Sequence, residues 1–237
     1  RRADGSEHEM SSRYILKKTA QAAEEAGYTC YVDPECEFFL FHIDDNGMPT
    51  TVSHEKAGYL DVSPVDLGEN ARRDMVLTLE DMGFEVESSH HETAPAQHEI
   101  ALHYGEAREM ADAVMTFKMA VRTVAKRHGL HATFMPKPRR EVNGSAMHIH
   151  FSLFKNGRNI FVDPDDPSKL SNEACYFIGG LLAHSREMAL ITNPLVNSYK
   201  RLVPGFDAPT ELTWTRNNQN SLVRIPRVNG NDTRIEL

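Results

Sequence analysis

Four stretches of this chain carry residues that could do chemistry. In NGSAMHIHFSLF (143–154) a turn leads into an alternating run. Residues two apart on a strand point the same way, so His148, His150 and Ser152 share one face with Phe154 while Met147, Ile149, Phe151 and Leu153 share the other. In PECEFFLF, Glu35 and Glu37 fall on one strand face with Phe39 and Phe41, roughly 6 to 7 Å apart at the backbone. Burying an unpaired carboxylate is strongly disfavoured, so this pair lies at a solvated strand end, is matched by Lys or Arg, or binds a metal. A third stretch presents Glu87, Glu92 and Glu99 among His90, His91 and His98, a density that points to metal ligation. The fourth lies near the end, where Lys200, Arg201, Arg216 and Arg224 stand among Pro- and Gly-punctuated loops.

Together these offer about six carboxylates, strand-borne histidines and separate arginines. Hard divalent cations such as Mg²⁺ and Mn²⁺ prefer carboxylate oxygens, and Mn²⁺ also accepts an imidazole. A zinc hydrolase built on His148 and His150 would more usually be richer in histidine. Multi-carboxylate metal sites with guanidinium groups suit phosphoryl transfer from a nucleotide, where both neutralise charge on the moving group. Residue types and spacing name no substrate.

Composition narrows the classes. The 237 residues are 40% hydrophobic and 25% charged, the proportions of an ordinary globular protein. A net charge of −8 argues against a nucleic-acid or anionic-membrane surface, which needs basic excess. Cys30, Cys36 and Cys175 are too scattered for a disulfide framework and fit a reducing cytoplasm. No stretch approaches the roughly 18 apolar residues of a membrane span, and the opening polar tail, residues 1–10, lacks a signal core. Both ends read as cut, so a piece of a longer chain is expected.

Elements must hold these groups in place. Ser11 and Ser12 can cap a helix running to Gly27. A short strand, a break at Asp33-Pro34 and a longer strand should come next, then a polar loop to about Asn70. A helix is expected from Glu69 to Met82 with Met75, Val76, Leu79 and Met82 buried, then strands at Phe84 to Glu87 and around Glu99 to His103. Met110, Val114, Phe117, Val121 and Val124 mark the clearest helix, Glu106 to His128. Strands are expected at His131 to Met135 and Asn159 to Val162. A helix from Asn172 towards Ile191 should pack closely at Gly179-Gly180. The last stretch reads as loops around short strands.

Taken together, the motifs carry a resemblance. PECEFFLF, HHETAPAQHEI, NGSAMHIHFSL, NPLVNSYKRLVPGFDAP and the closing VRIP with TRIE occur in the order found in the catalytic domain of glutamine synthetases of type I, and cover the chain from about residue 28. The resemblance implies an α+β fold, a mainly antiparallel curved sheet backed by helices of the creatine kinase-like kind, truncated here. It implies an ATP-dependent ligase that makes glutamine from glutamate and ammonia through γ-glutamyl phosphate, with two or more Mg²⁺ or Mn²⁺ ions.

By position, Glu37, Glu92 and Glu99 match one metal site, and Glu35, His148 and Glu236 the second. His150 and Ser152, with Glu87 and Tyr104 as weaker matches, lie where the family meets the nucleotide, and Arg224 and Arg234 where it meets the phosphates. Asn143, Gly144 and Arg201 match the glutamate pocket. The resemblance further implies a cytoplasmic homo-oligomer, a dodecamer of two stacked rings with active sites between subunits. Three departures stand out. Asp207 replaces the Glu credited with taking a proton from ammonium, Gln219 replaces an Arg near the transferred phosphoryl, and Ala146 replaces a Gly. A ligase joining glutamate to an organic amine is the alternative that the first two leave open.

Overall fold

The computed structural model describes residues 1–163, 165–166, 169–216, 218, 220–226 and 232–237. In chain order the elements are α1 (Ser12–Glu25), β1 (Thr29–His42), α2 (Glu69–Asp81), β2 (Val86–His91), β3 (Gln97–Leu102), β4 (Gly105–Glu106), α3 (Ala107–Arg127), β5 (Leu130–Thr133), β6 (Met147–Lys155), β7 (Arg158–Asn159), α4 (Asn172–Thr192), α5 (Val196–Arg201), β8 (Glu211–Thr215), β9 (Ser221–Arg224) and β10 (Ile235–Glu236).

One sheet runs β2-β3-β1-β6-β10-β9-β8, with β4 and β5 added to β1 and β7 to β6. Its pairings are antiparallel except for the parallel β8–β9 pair. The α+β expectation therefore holds, as an open mixed sheet with helices behind it. Alternation along β1 decides the layers. Cys36, Phe38 and Leu40 join Ile100 and Leu102 of β3 and the apolar stripes of α2 and α3 in the main core. The opposite face of β1 buries Phe39 and Phe41 against Ala94 and Ala96, and its preceding positions are Asp33, Glu35 and Glu37. A second core gathers Phe161, Ala174 and Ile178 against Val223, Ile225 and Ile235.

Local details depart from the sequence reading. There is no break at Asp33-Pro34: β1 runs through both, paired with β6 from Thr29 to Cys36. Its other edge pairs β4 only at Tyr31 and Val32 and β3 only from Glu35, leaving a gap into which proline's missing donor can face without breaking a ladder bond. β2 begins at Val86 rather than Phe84 and extends through His91. Met82 ends α2 half-exposed instead of buried. β5 starts one residue earlier than expected and stops at Thr133, and β7 is confined to Arg158–Asn159. A Cβ added at Gly179 or Gly180 would meet nothing within 4 Å among the described residues, so those glycines serve no close packing there. The stretch after Pro194 holds a short helix, α5, where loops were expected.

Candidate active site

The register of neighbouring strands assembles the site. β6 sets His148 opposite Glu35 and His150 opposite Asp33. β3 sets Glu99 opposite Glu37, and β2 sets His90 opposite Glu99. β10 brings Glu236 opposite His150, and β9 brings Arg224 opposite Glu236. Cross-strand partners share a face, so one side of the sheet becomes a field of carboxylates, imidazoles and a guanidinium.

Contacts divide this field into groups. His148 stands between Glu37 and Glu236, with Nε2 3.5 Å from Glu37 Oε1 and Nδ1 3.5 Å from Glu236 Oε1. Arg224 forms an ion pair with Glu236. Although Glu35 faces His148 in register, its Oε1 bonds His150 Nε2 at 2.8 Å. Arg234 Nε donates to His150 Nδ1 at 3.2 Å. His90 Nε2 lies 2.9 Å from Glu92 Oε1 and 4.0 Å from Glu99 Oε1. Ligand atoms of His90, Glu92 and Glu99, and separately of Asp33, Glu35 and His150, lie within 4.8 Å of one another. Beside the second group a cavity of about 290 Å³ is lined by Tyr31, Asp33, Glu87, Tyr104, His150 and Arg234 among others, Ser152 included.

Electrostatics mark the same face. Burial, reinforced by the like charges of Glu35, Glu37, Glu92 and Asp33, pushes the Glu99 carboxyl up to about 9. Burial likewise raises Asp33 to about 6. For Glu37, burial is outweighed by hydrogen bonding and attraction from His148, and the carboxyl is lowered.

A second region lies at the turn before β6. Gly144 cannot carry a side chain, since a Cβ there would collide with Pro136 O and sit 3.1 Å from Arg201 Cγ. Its carbonyl accepts from Gln97 Nε2 at 3.0 Å, and the same amide nitrogen donates to Glu37 Oε2 at 2.6 Å. Arg201, at the end of α5, is 9% exposed, and its buried Nε has no hydrogen-bond partner among the described residues. Burial lowers its pKa, with Glu37 pulling the other way. Arg201, Ser145, His148 and Asp207 line a wider cleft of about 1110 Å³. Asn143 Nδ2 donates to Asp207 Oδ2 at 2.5 Å, and Asp207 adopts a left-handed φ of 46°. Next to Asp207 in the chain, the Phe206 ring is met by Lys137 Nζ, 3.6 Å from its centre.

The model of the glutamine synthetase catalytic domain matches residues 9–237. This chain belongs to that family. It is 56% identical over 234 residues to the glutamine synthetase of Clostridium saccharobutylicum, covering 99% of this chain and 53% of that protein. It is 52% identical over 234 residues to that of Methanosarcina mazei, with 99% and 52% covered. The fold matches Plasmodium falciparum glutamine synthetase with a TM-score of 0.89 at 30% identity, over 100% of this chain and 53% of that one. It also matches GmaS in complex with ADP, with a TM-score of 0.83 at 33% identity, over 95% and 53%. The chain spans about half the length of these relatives.

The residues of this glutamine synthetase-family chain fit the divalent cations that the family implies. Carboxylate oxygens dominate each group, an imidazole stands in each, and the like-charge crowding at Glu99 is the kind that a hard cation relieves. Of the residues singled out from sequence, Glu35, Glu37, Glu92, Glu99, His148, His150, Glu236, Arg224 and Arg234 converge on one sheet face. Asn143, Gly144, Arg201 and Asp207 gather around the turn before β6. Gln219 lies outside the described residues. Ser152 Oγ donates to Thr233 O at 3.2 Å.

Sequence reasoning missed several contributors. Asp33, two residues before Glu35, was hidden by the expected strand break. Gln97, which ties Glu37 to the Gly144 turn, sits among more conspicuous acids. Glu55 lies in a loop with no periodic signal, yet it is 7% exposed and accepts from Leu67 N, Gly68 N and Ala96 N. Its Oε1 also bonds His91 Nε2 at 2.5 Å, and His91 Nδ1 reaches Glu92 O at 2.6 Å. Burial would lower the His91 imidazole, but the Glu55 bond outweighs it and the pKa is raised.

Proposed function

We propose that this chain carries the catalytic face of an ATP-dependent ligase that joins glutamate to ammonia. The observation that carries this reading is the pairing of a carboxylate and imidazole face with a buried guanidinium nitrogen beside the Gly144 turn, Arg201 Nε, that has no hydrogen-bond partner among the described residues. Such an arrangement suits an acyl-phosphate ligase, which needs a phosphoryl-transfer site beside an amino-acid pocket.

In this reading Arg201 grips the substrate α-carboxylate, its planar fork suiting bidentate contact, and Asn143 and the Gly144 backbone shape the pocket around it. The γ-carboxylate oxygen attacks the terminal phosphorus of ATP, and ADP leaves. Arg224 and Arg234 neutralise phosphate charge from the sheet face. Bound Mg²⁺ or Mn²⁺, held by Glu37, Glu92 and Glu99 and by Glu35, His148 and Glu236, would supply Lewis-acid neutralisation of the phosphates. Asp207 takes a proton from ammonium, ammonia attacks the acyl carbon, and phosphate departs. Glu87, Tyr104, His150 and Ser152 border the nucleotide. The working enzyme is a cytoplasmic homo-oligomer of stacked rings, its active sites completed between neighbouring subunits.

One observation favours a second reading. Asp207 is a methylene shorter than the glutamate expected there, and a general base must come within about 2.6 to 3.2 Å of its proton. In a ligase joining glutamate to an organic amine the ammonium position is expected to differ, so the shorter Asp207 side chain is compatible with that reading. Phosphate release from the intact protein with ATP, glutamate and Mg²⁺, plus ammonium or a panel of amines, separates the two. Ammonium-dependent release supports the first reading and amine-only release the second. No acceptor-dependent release with any of them sinks both.

A further inference from the structure

Gln97 joins the carboxylate face to the turn before β6. It stands two places before Glu99 in β3, on the same strand face, and is 1% exposed. Its side-chain amide makes three hydrogen bonds. Oε1 accepts from Ala94 N at 3.2 Å, while Nε2 donates to Glu37 Oε2 at 2.6 Å and to Gly144 O at 3.0 Å. An ionised carboxylate and a carbonyl only accept and a backbone N–H only donates, so the amide has one orientation and both of its hydrogens are used. A hydroxyl, with one hydrogen, could serve only one of the two acceptors. The backbone continues the tie, since the Gln97 carbonyl accepts from Glu92 N at 2.8 Å.

We propose that Gln97 is a positioning residue that couples cation binding at Glu37 to glutamate binding at the Gly144 turn. The identity of both ligands rests on the ligase reading above; the tie between them rests on this one amide. On the cation side, Glu37 Oε2 is taken by Gln97 Nε2 and by Ala146 N at 3.1 Å, and Oε1 is turned to His148 Nε2 at 3.5 Å. A carboxylate held in this way presents one defined oxygen to an ion. Losing a group that orients a metal ligand typically costs about 10- to 100-fold in metal affinity. On the substrate side, the Gly144 carbonyl is held by Gln97, and the next residue, Ser145, donates its N–H to Pro136 O at 2.9 Å. The turn so fixed packs against Arg201. An ion that fixes Glu37 also fixes the turn, and an amino acid that fixes the turn also fixes Glu37. Each therefore tightens the other by the same factor.

The test measures Mn²⁺ affinity by electron paramagnetic resonance of free Mn²⁺, with and without saturating glutamate, in the intact protein, in Gln97→Asn and in Gln97→Met. Asparagine keeps an amide but is a methylene too short to reach both acceptors, whereas methionine keeps the length and removes every side-chain hydrogen bond. Metal-free melting curves check folding, and the polar Gln97→Asn carries the test if the apolar variant does not fold. The expected result is several-fold tighter Mn²⁺ binding with glutamate in the parent, and a ratio near one in the variants. A residue that only supports the fold would lower the melting temperature and leave the ratio as in the parent. An unchanged ratio in a folded variant therefore overturns the proposal. A parent that binds Mn²⁺ and glutamate independently overturns it too and leaves the ligase reading standing, whereas a parent that binds neither removes both.

Discussion

Glu99 condenses the logic of the site into one side chain. Its carboxyl is pushed from an ordinary 4.5 to about 9 by burial and by Glu35, Glu37, Glu92 and Asp33. With the folded pKa above the unfolded one, the folded state holds the proton more tightly. The contribution to stability is full below about pH 4.5 and is lost as pH rises towards 9. In metal-free protein, Glu99→Gln cannot ionise and should abolish that decline. Denaturant unfolding in a chelating buffer from pH 5 to 9 should show the parent losing stability relative to the variant. Parallel curves would rule out Glu99 as the proton holder. Glu35 and Glu37 run the other way, lowered by His150 and His148 despite burial, so only the difference between the two proteins isolates Glu99.

At the scale of elements, what keeps β2 and its turn in place is a loop. Glu55 ties Leu67, Gly68, Ala96 and His91 together. Asp66 pairs with buried Arg72 at 2.7 Å, and Arg72 in turn bonds His98 Nδ1 at 2.8 Å. His91 continues to the carbonyl of Glu92, so the loop bears on a proposed metal ligand through a single imidazole. Ala96 carries a left-handed φ of 69°, a conformation costly for a residue with a Cβ, and its N–H is held by Glu55 at 2.6 Å. Removing one partner of a buried charged pair leaves the other uncompensated. Glu55→Ala should therefore destabilise the protein by about 3 to 5 kcal/mol, read as a lowered urea midpoint. A change under about 0.5 kcal/mol, typical of surface positions, would show that the loop does not brace the site.

Across the whole molecule, a net charge of −8 and a concentration of acids on one sheet face make cations the natural ligand. Anything that binds the folded state alone stabilises it, by about 2.7 kcal/mol per site at a hundredfold excess over the dissociation constant. Mn²⁺ should accordingly raise the unfolding temperature of the intact protein, and a chelator should return it. An equal rise from NaCl at matched ionic strength would reduce the effect to screening of a like-charged face. None of the described helices is long and apolar enough to cross a membrane.

Periodicity and local chemistry were determined by the sequence alone. The stripe of α3, the alternation that splits β6 into an apolar and a polar face, and the Glu35/Glu37 pair were all legible, because each repeats at the spacing of its own element. Motif order also pointed to the family. Tertiary structure decided the partners. Strand register joins residues far apart in the chain, so it alone placed His148 between Glu37 and Glu236, joined Glu35 to His150, and set Arg234 on the same imidazole. Asp33 shows the difference most sharply. A proline in isolation argues for a break, but an edge left unpaired on one side lets the strand continue, and a residue at the expected break becomes a buried carboxylate facing the cavity.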